Sequence, residues 1–119
     1  YVEAMRLMLI SDNPNDYVIS TGKLTTVREF LRLTSLEVGF DPIFEGENEK
    51  EFCYDKVSGL TIAKVSKKYF RPFDTNSLAG DSSKISSDLG WTRKINFEKL
   101  ISLMVEADLD RWKKGVAEL

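Results

Sequence analysis

The sequence predicts a small α+β or α/β unit, in which about four helices accompany a few short strands. Three observations lead there. Apolar residues recur at helical spacing in four separate stretches. Short runs of β-branched and aromatic residues stand between them, at 17–20, at Ile43-Phe44 and at 60–66. Glycines or turn clusters close most of these stretches. With 119 residues the chain can bury one modest core, so residues 1–119 read as a single domain. Helices outnumber strands, and strands this short call for a partner sheet elsewhere.

The chain opens on YVEAMRLMLI, where Val2, Met5 and Leu9 form one helical stripe with Ala4 and Met8 beside it. No initiator methionine and no capping Ser, Thr, Asp or Asn precedes this segment, so the reading is of a fragment whose first helix begins upstream. The turn chemistry of Ser11-Asp12-Asn13-Pro14-Asn15 ends it. Tyr17-Val18-Ile19-Ser20 then reads as a buried strand, closed by Thr21-Gly22. Thr26-Val27-Arg28-Glu29 fits a capping box, in which hydroxyl and carboxylate satisfy the free amides of a helix start. The helix that follows turns Val27, Phe30, Leu31 and Val38 inward and stops at Gly39.

Ile43-Phe44 reads as a strand entering the core, and 45–58, rich in acids with lysines mixed in, as a solvated loop or hairpin. The stretch 60–66 has β character. Asp81 caps a short helix with Ile85 and Leu89 one turn apart, ended by Gly90, with Trp91 packing back. Asn96 caps a last helix whose apolar face is Phe97, Leu100, Ile101, Met104 and Ala107. Lys113 and Lys114 complement the dipole in its final turn, and Gly115 ends it.

Composition excludes several classes of function. A net charge of −2, with basic residues scattered among acids, gives no footprint for nucleic acid. No apolar run approaches the roughly 20 residues of a membrane span, and no signal peptide opens the chain. The single cysteine, Cys53, has no internal disulfide partner and no zinc-ligand spacing around it, and there is no histidine. A cytoplasmic setting is the expectation. The glycines never fall at G-x-G-x-x-G spacing, so no phosphate-cradling loop is present. Asp108 and Asp110 belong to the solvated side of the last helix, and Cys53 lacks a neighbouring base.

One constellation differs: Tyr69-Phe70-Arg71-Pro72-Phe73-Asp74. Proline at 72 disfavours helical geometry at Arg71, so that side chain projects from an extended backbone. A guanidinium fork presented this way suits phosphate oxygens or a purine face, and a carboxylate three residues on suits the two hydroxyls of a ribose. Spacing alone also describes a surface arginine ahead of a turn, with Tyr69 and Phe70 merely packing.

YVEAMRLML, DYVISTG followed by VREF, YFRP, Gly80-Asp81, LGW at 89–91 and MVEADL at 104–109 occur in an order and spacing that resembles the GDP-mannose 4,6-dehydratases. These belong to the extended short-chain dehydrogenase/reductases. The resemblance spans nearly the whole chain and is weakest between about 41 and 66. It implies the C-terminal, substrate-binding part of such an enzyme, with the NADP-binding Rossmann domain upstream. The implied reaction oxidises mannose at C4 by hydride transfer to bound NADP, eliminates water across C5 and C6, and returns the hydride to C6. The product, GDP-4-keto-6-deoxymannose, leads toward GDP-fucose. Every catalytic group of the family lies upstream, so none is expected here.

By the same resemblance Arg71 matches an arginine that contacts the GDP moiety. Asp74 matches a glutamate that binds the ribose hydroxyls and is one methylene shorter, which makes a bridging water the natural contact. Thr75 replaces a valine, and Lys23 stands where glutamate is frequent. The partner implied is GDP-mannose, and the whole enzyme is expected as a dimer or tetramer. The other readings are a stand-alone binding or interaction module of the same fold, and another nucleotide-sugar dehydratase or epimerase.

Overall fold

The structure is a computed structural model that describes residues 1–71 and 78–115. Its elements run α1 (Val2–Leu9), α2 (Val27–Glu37), β1 (Pro42–Glu45), a 3-10 turn (Asn48–Lys50), β2 (Phe52–Asp55), β3 (Thr61–Lys64), α3 (Ser83–Leu89) and α4 (Phe97–Lys113). Among the described residues four α-helices and one three-stranded sheet make a small α+β unit, as the patterning predicts. The described residues fall into two compact units, 1–25 with 78–96, and 26–71 with 97–115.

In the first unit α1 buries Ala4 and half-buries Leu7 and Met8. The stripe of Val2, Met5 and Leu9 faces out: Val2 is 80% and Leu9 86% exposed, and Met5 is exposed as well. The helix has two apolar sides, and Ala4, Leu7 and Met8, spaced i, i+3, i+4, make the covered one. Residues 17–20 run extended but are not a strand, because no described segment offers them a ladder. They pack against Gly80, where an added Cβ would come within 2.7 Å of Ser20 Cβ and 3.2 Å of Val18 Cγ1. Tyr17 Oη–H donates to Asp88 Oδ2 at 3.3 Å, and Lys84 Nζ donates to Asn15 Oδ1 at 2.6 Å while lying over the Tyr17 ring. These bonds clasp α3 to the extended segment. Asp81 Oδ1 accepts from the Ser83 amide and hydroxyl at the start of α3, and Gly90, at φ 66°, closes it.

In the second unit Thr26 Oγ1 accepts from the Glu29 amide at 3.1 Å, the hydroxyl half of the expected box. The Glu29 carboxylate grips the Arg32 fork, both bonds at 2.7 Å. The helix ends in a Schellman motif: the Gly39 amide donates to Leu36 O and the Phe40 amide to Ser35 O, with Gly39 at φ 89°. Leu31 is half-buried as expected, whereas Val27 is 83% exposed and Phe30 and Val38 are only partly covered, at 40% and 39% exposure. Phe30 meets Phe97 of α4, ring centroids 6.0 Å apart, and α4 buries Ile101. Leu100, Met104 and Ala107, expected on that inward face, are exposed. α2 is the element that packs on α4 among the described residues, and an 11-residue helix is too little to cover one of 17.

The sheet is antiparallel in the order β1-β2-β3. Phe44, Cys53 and Ala63 pair across the three strands and face α2. The charged segment 45–58, expected to be a loop or hairpin, is a hairpin arm that carries the central strand. Within β2 Cys53 and Asp55 turn in while Phe52 and Tyr54 are half-buried, an alternation that composition alone conceals.

Candidate functional site

The segment carrying Arg71 is anchored by the sheet. β3 continues past Lys64, where the Val65 amide donates to Glu51 O at 2.9 Å. Ser66 O then accepts from the amides of both Tyr69 (3.0 Å) and Phe70 (2.9 Å), folding 66–70 into a single turn. Arg71 leaves that turn exposed and outside any helix or strand, as the proline after it leads one to expect. Asp74, its expected partner in recognition, and Pro72 and Thr75 with it, lie outside the described residues.

Phe70 forms one wall of an open cleft of about 640 Å³ whose other wall is the turn Gly46–Lys50. Two backbone features hold that turn. Gly46 lies at φ 79° with no room for a Cβ, which would meet Lys50 O, and Asn48 takes a left-handed φ of 53°. Lys67 reaches Glu49 at 4.0 Å across the same region, and Lys68 Nζ lies 5.2 Å from the Tyr69 ring centroid. The lining of this cleft carries Glu47 and Glu49 beside Lys50, and Arg71, next to Phe70 in the chain, is not among its walls.

A second cavity, of about 280 Å³, lies between the first turns of α2 and the sheet. Its walls are Val27, Leu31, Phe44, Cys53 and Ala63, and Arg28 spans its mouth. Arg28 Nη2 meets Glu51 Oε1 at 2.7 Å, and its guanidinium lies 5.7 Å from the Phe44 ring centroid. Nothing in the sequence singled out this bridge, because its partners are 23 residues apart and on different elements. Cys53, at 1% exposure, is no nucleophile: burial first, and then Glu51, push its thiol pKa up. Asp108 and Asp110 pair with Arg111 and Lys114 on the exposed side of α4, as a solvated face does.

The described residues do not fit a dinucleotide. None of the four α-helices follows a parallel strand through a glycine-rich turn, since the described sheet is wholly antiparallel. Among the described residues no group of three His, Cys, Asp or Glu could hold a metal, and no helix is long and apolar enough to cross a membrane.

The family described as GDP-mannose 4,6 dehydratase matches residues 1–104. The chain is 41% identical over 110 residues to the GDP-mannose 4,6 dehydratase of Homo sapiens, covering 92% of this chain and 30% of that protein. It is 40% identical over 114 residues to GDP-mannose 4,6 dehydratase 1 of Arabidopsis thaliana, covering 96% of this chain and 27% of that one. The Yersinia enterocolitica enzyme of the same name is 36% identical over 124 residues, covering 96% of this chain. The chain spans about 30% of the length of the curated relatives it matches. A match over this much of the sequence, at these identities, makes the chain a member of the GDP-mannose 4,6-dehydratase family.

Proposed function

We propose that this chain is the nucleotide-sugar-recognising part of an NADP-dependent GDP-mannose 4,6-dehydratase. The whole enzyme converts GDP-mannose to GDP-4-keto-6-deoxymannose, and the dehydrating and hydride-transferring groups lie on the remainder of the protein. Arg71 binds the GDP moiety through its guanidinium, and Asp74 reaches the ribose hydroxyls through a water. The carrying observation is the family match over residues 1–104, which contains both positions. The exposed placement of Arg71, on a turn pinned by Ser66 and the β2–β3 ladder, supports the role. A group that recognises a nucleotide gains from being held in place before the ligand arrives.

The test is Arg71→Ala in the whole enzyme. A charge-assisted hydrogen-bonding group is worth roughly 1.5–3 kcal/mol, so kcat/KM for GDP-mannose should fall about ten- to a hundredfold. NADP retention should not change. Asp74→Glu should be mild, or tighten binding by restoring the longer reach. A kcat/KM for Arg71→Ala within about twofold of wild type would refute the assignment.

A further inference from the structure

We infer that Arg28 and Glu51 are positioning residues for the nucleotide-binding turn, acting on GDP-mannose affinity through Arg71; the inference rests on the function proposed above. Three contacts lead from one to the other. Arg28, in the first turn of α2, holds Glu51 through a 2.7 Å ion pair while its guanidinium rests near Phe44. Glu51 stands at the entry to β2, and its backbone oxygen accepts the Val65 amide at 2.9 Å. Ser66, the next residue, is the single acceptor that closes the turn delivering Arg71.

The cavity beside Arg28 explains why this bridge matters. Where α2 begins, helix and sheet are parted by about 280 Å³ of space, so apolar packing does not fix their spacing there. Arg28, its side chain 61% exposed, bonds at 2.7 Å to a carboxylate whose side chain is only 20% exposed, so one partner of the pair is largely shielded from water. The pair thus fixes the end of the ladder from which the Ser66 turn springs. By contrast, the Lys56–Asp41 pair stands at 4.0 Å with side chains 66% and 54% exposed, and Lys56→Gln serves as the control.

The experiment measures steady-state kinetics on GDP-mannose and NADP retention in the whole enzyme. Arg28→Ala and Glu51→Ala should each raise KM about three- to fivefold with kcat and NADP retention unchanged. The charge swap Arg28→Glu with Glu51→Arg should bring KM back to within about twofold of wild type. In an Arg71→Ala background, Arg28→Ala should add nothing, because its effect passes through the guanidinium already removed. If Arg71→Ala is silent, the reading of the site fails. If Arg71→Ala acts while Arg28→Ala is silent, lowers kcat, or adds fully to it, the positioning role fails. Should Arg28→Ala not fold, Arg28→Lys takes its place under the same criteria. Failure of both to fold makes Arg28 a structural support alone and overturns the inference.

Discussion

Ser58 grips Asp55 twice, its amide and its hydroxyl donating to the same carboxylate oxygen at 2.8 and 2.6 Å. The other oxygen of Asp55 accepts the Asp41 amide at 2.8 Å, so one carboxylate ties the β2–β3 loop to the residue before β1. Around it the Asp55 amide donates to Leu60 O, and the Gly59 amide to Asp55 O. The side chain is 4% exposed, and each bond reaches it from an otherwise unsatisfied donor.

The first prediction concerns acid. The Ser58 hydroxyl, then the Asp41 and Ser58 amides, hold the Asp55 pKa down to about 2, below its ordinary 3.8. A folded value below the unfolded one means that stabilisation is present above 3.8 and is lost as pH falls through about 2. Wild type should therefore lose Tm progressively over that window, and Asp55→Asn should show a flatter slope there. Near neutrality Asp55→Ala should lower Tm by about 5–10 °C, since it leaves the part-buried Asp41 and Ser58 amides without their acceptor. Thermal melts from pH 2 to 7 read both effects, and identical pH slopes for wild type and Asp55→Asn would refute the role.

The second prediction concerns close packing. A Cβ on Gly80 would come within 2.7 Å of Ser20 Cβ and 2.9 Å of its Oγ, so Gly80→Ala should destabilise the protein by about 1–3 kcal/mol. Because the nearest atoms belong to Ser20, Ser20→Gly should be less harmful in the Gly80→Ala background than alone. Urea unfolding of the four variants of this cycle measures the coupling. Additive effects would show that the clash is relieved by backbone movement.

How much of this was legible in the sequence depends on the range of the interaction. Thr26 with Glu29, the stop at Gly39, the Gly90 end of α3 and the start of α4 at Phe97 are local, set by residues within a turn of one another, and stand where the patterning puts them. α3 takes Ser82 as its N-cap, one residue after the expected Asp81. The sheet was harder to read. β2 is flanked by acids and looks solvated, yet its alternation buries Cys53 and Asp55, and only pairing with β1 and β3 makes it central. Residues 17–20 failed as a strand for the opposite reason: their β-branched side chains suit a ladder that the described residues do not supply. For the site, Pro72 signals an Arg71 outside any helix, which is where the chain has it, but the Arg28–Glu51 bridge exists only once α2 and β2 are brought together.

The third prediction separates recognition from catalysis. The 119-residue chain alone should neither retain NADP nor convert GDP-mannose, because none of its seven glycines falls at pyrophosphate-cradling spacing. Equilibrium dialysis with NADP and a product assay for the 4-keto-6-deoxy sugar provide the check. Turnover by the purified chain would overturn the assignment of chemistry to the rest of the protein.

The fourth prediction follows from α1. Its eight residues carry no side-chain N-cap bond, and Tyr1, Val2, Met5 and Leu9 leave one side of it apolar and open. A helix this short is not stable by propensity and depends on what its faces touch. Here Ala4, Leu7 and Met8 provide the contact, and full burial of Val2, Met5 or Leu9 would each be worth about 1.5–3 kcal/mol. Such terms are large beside the roughly 5–15 kcal/mol that holds a domain together. In the isolated chain the α1 amides should therefore exchange faster than those of α2, whose start is capped by Thr26 and whose end is closed by Gly39. The open side should also drive association, so sedimentation should depend on concentration, and Leu9→Gln should weaken that dependence without lowering Tm. A chain that stays monomeric at every concentration, with α1 protected as well as α2, would show that the unit is complete without a covering surface.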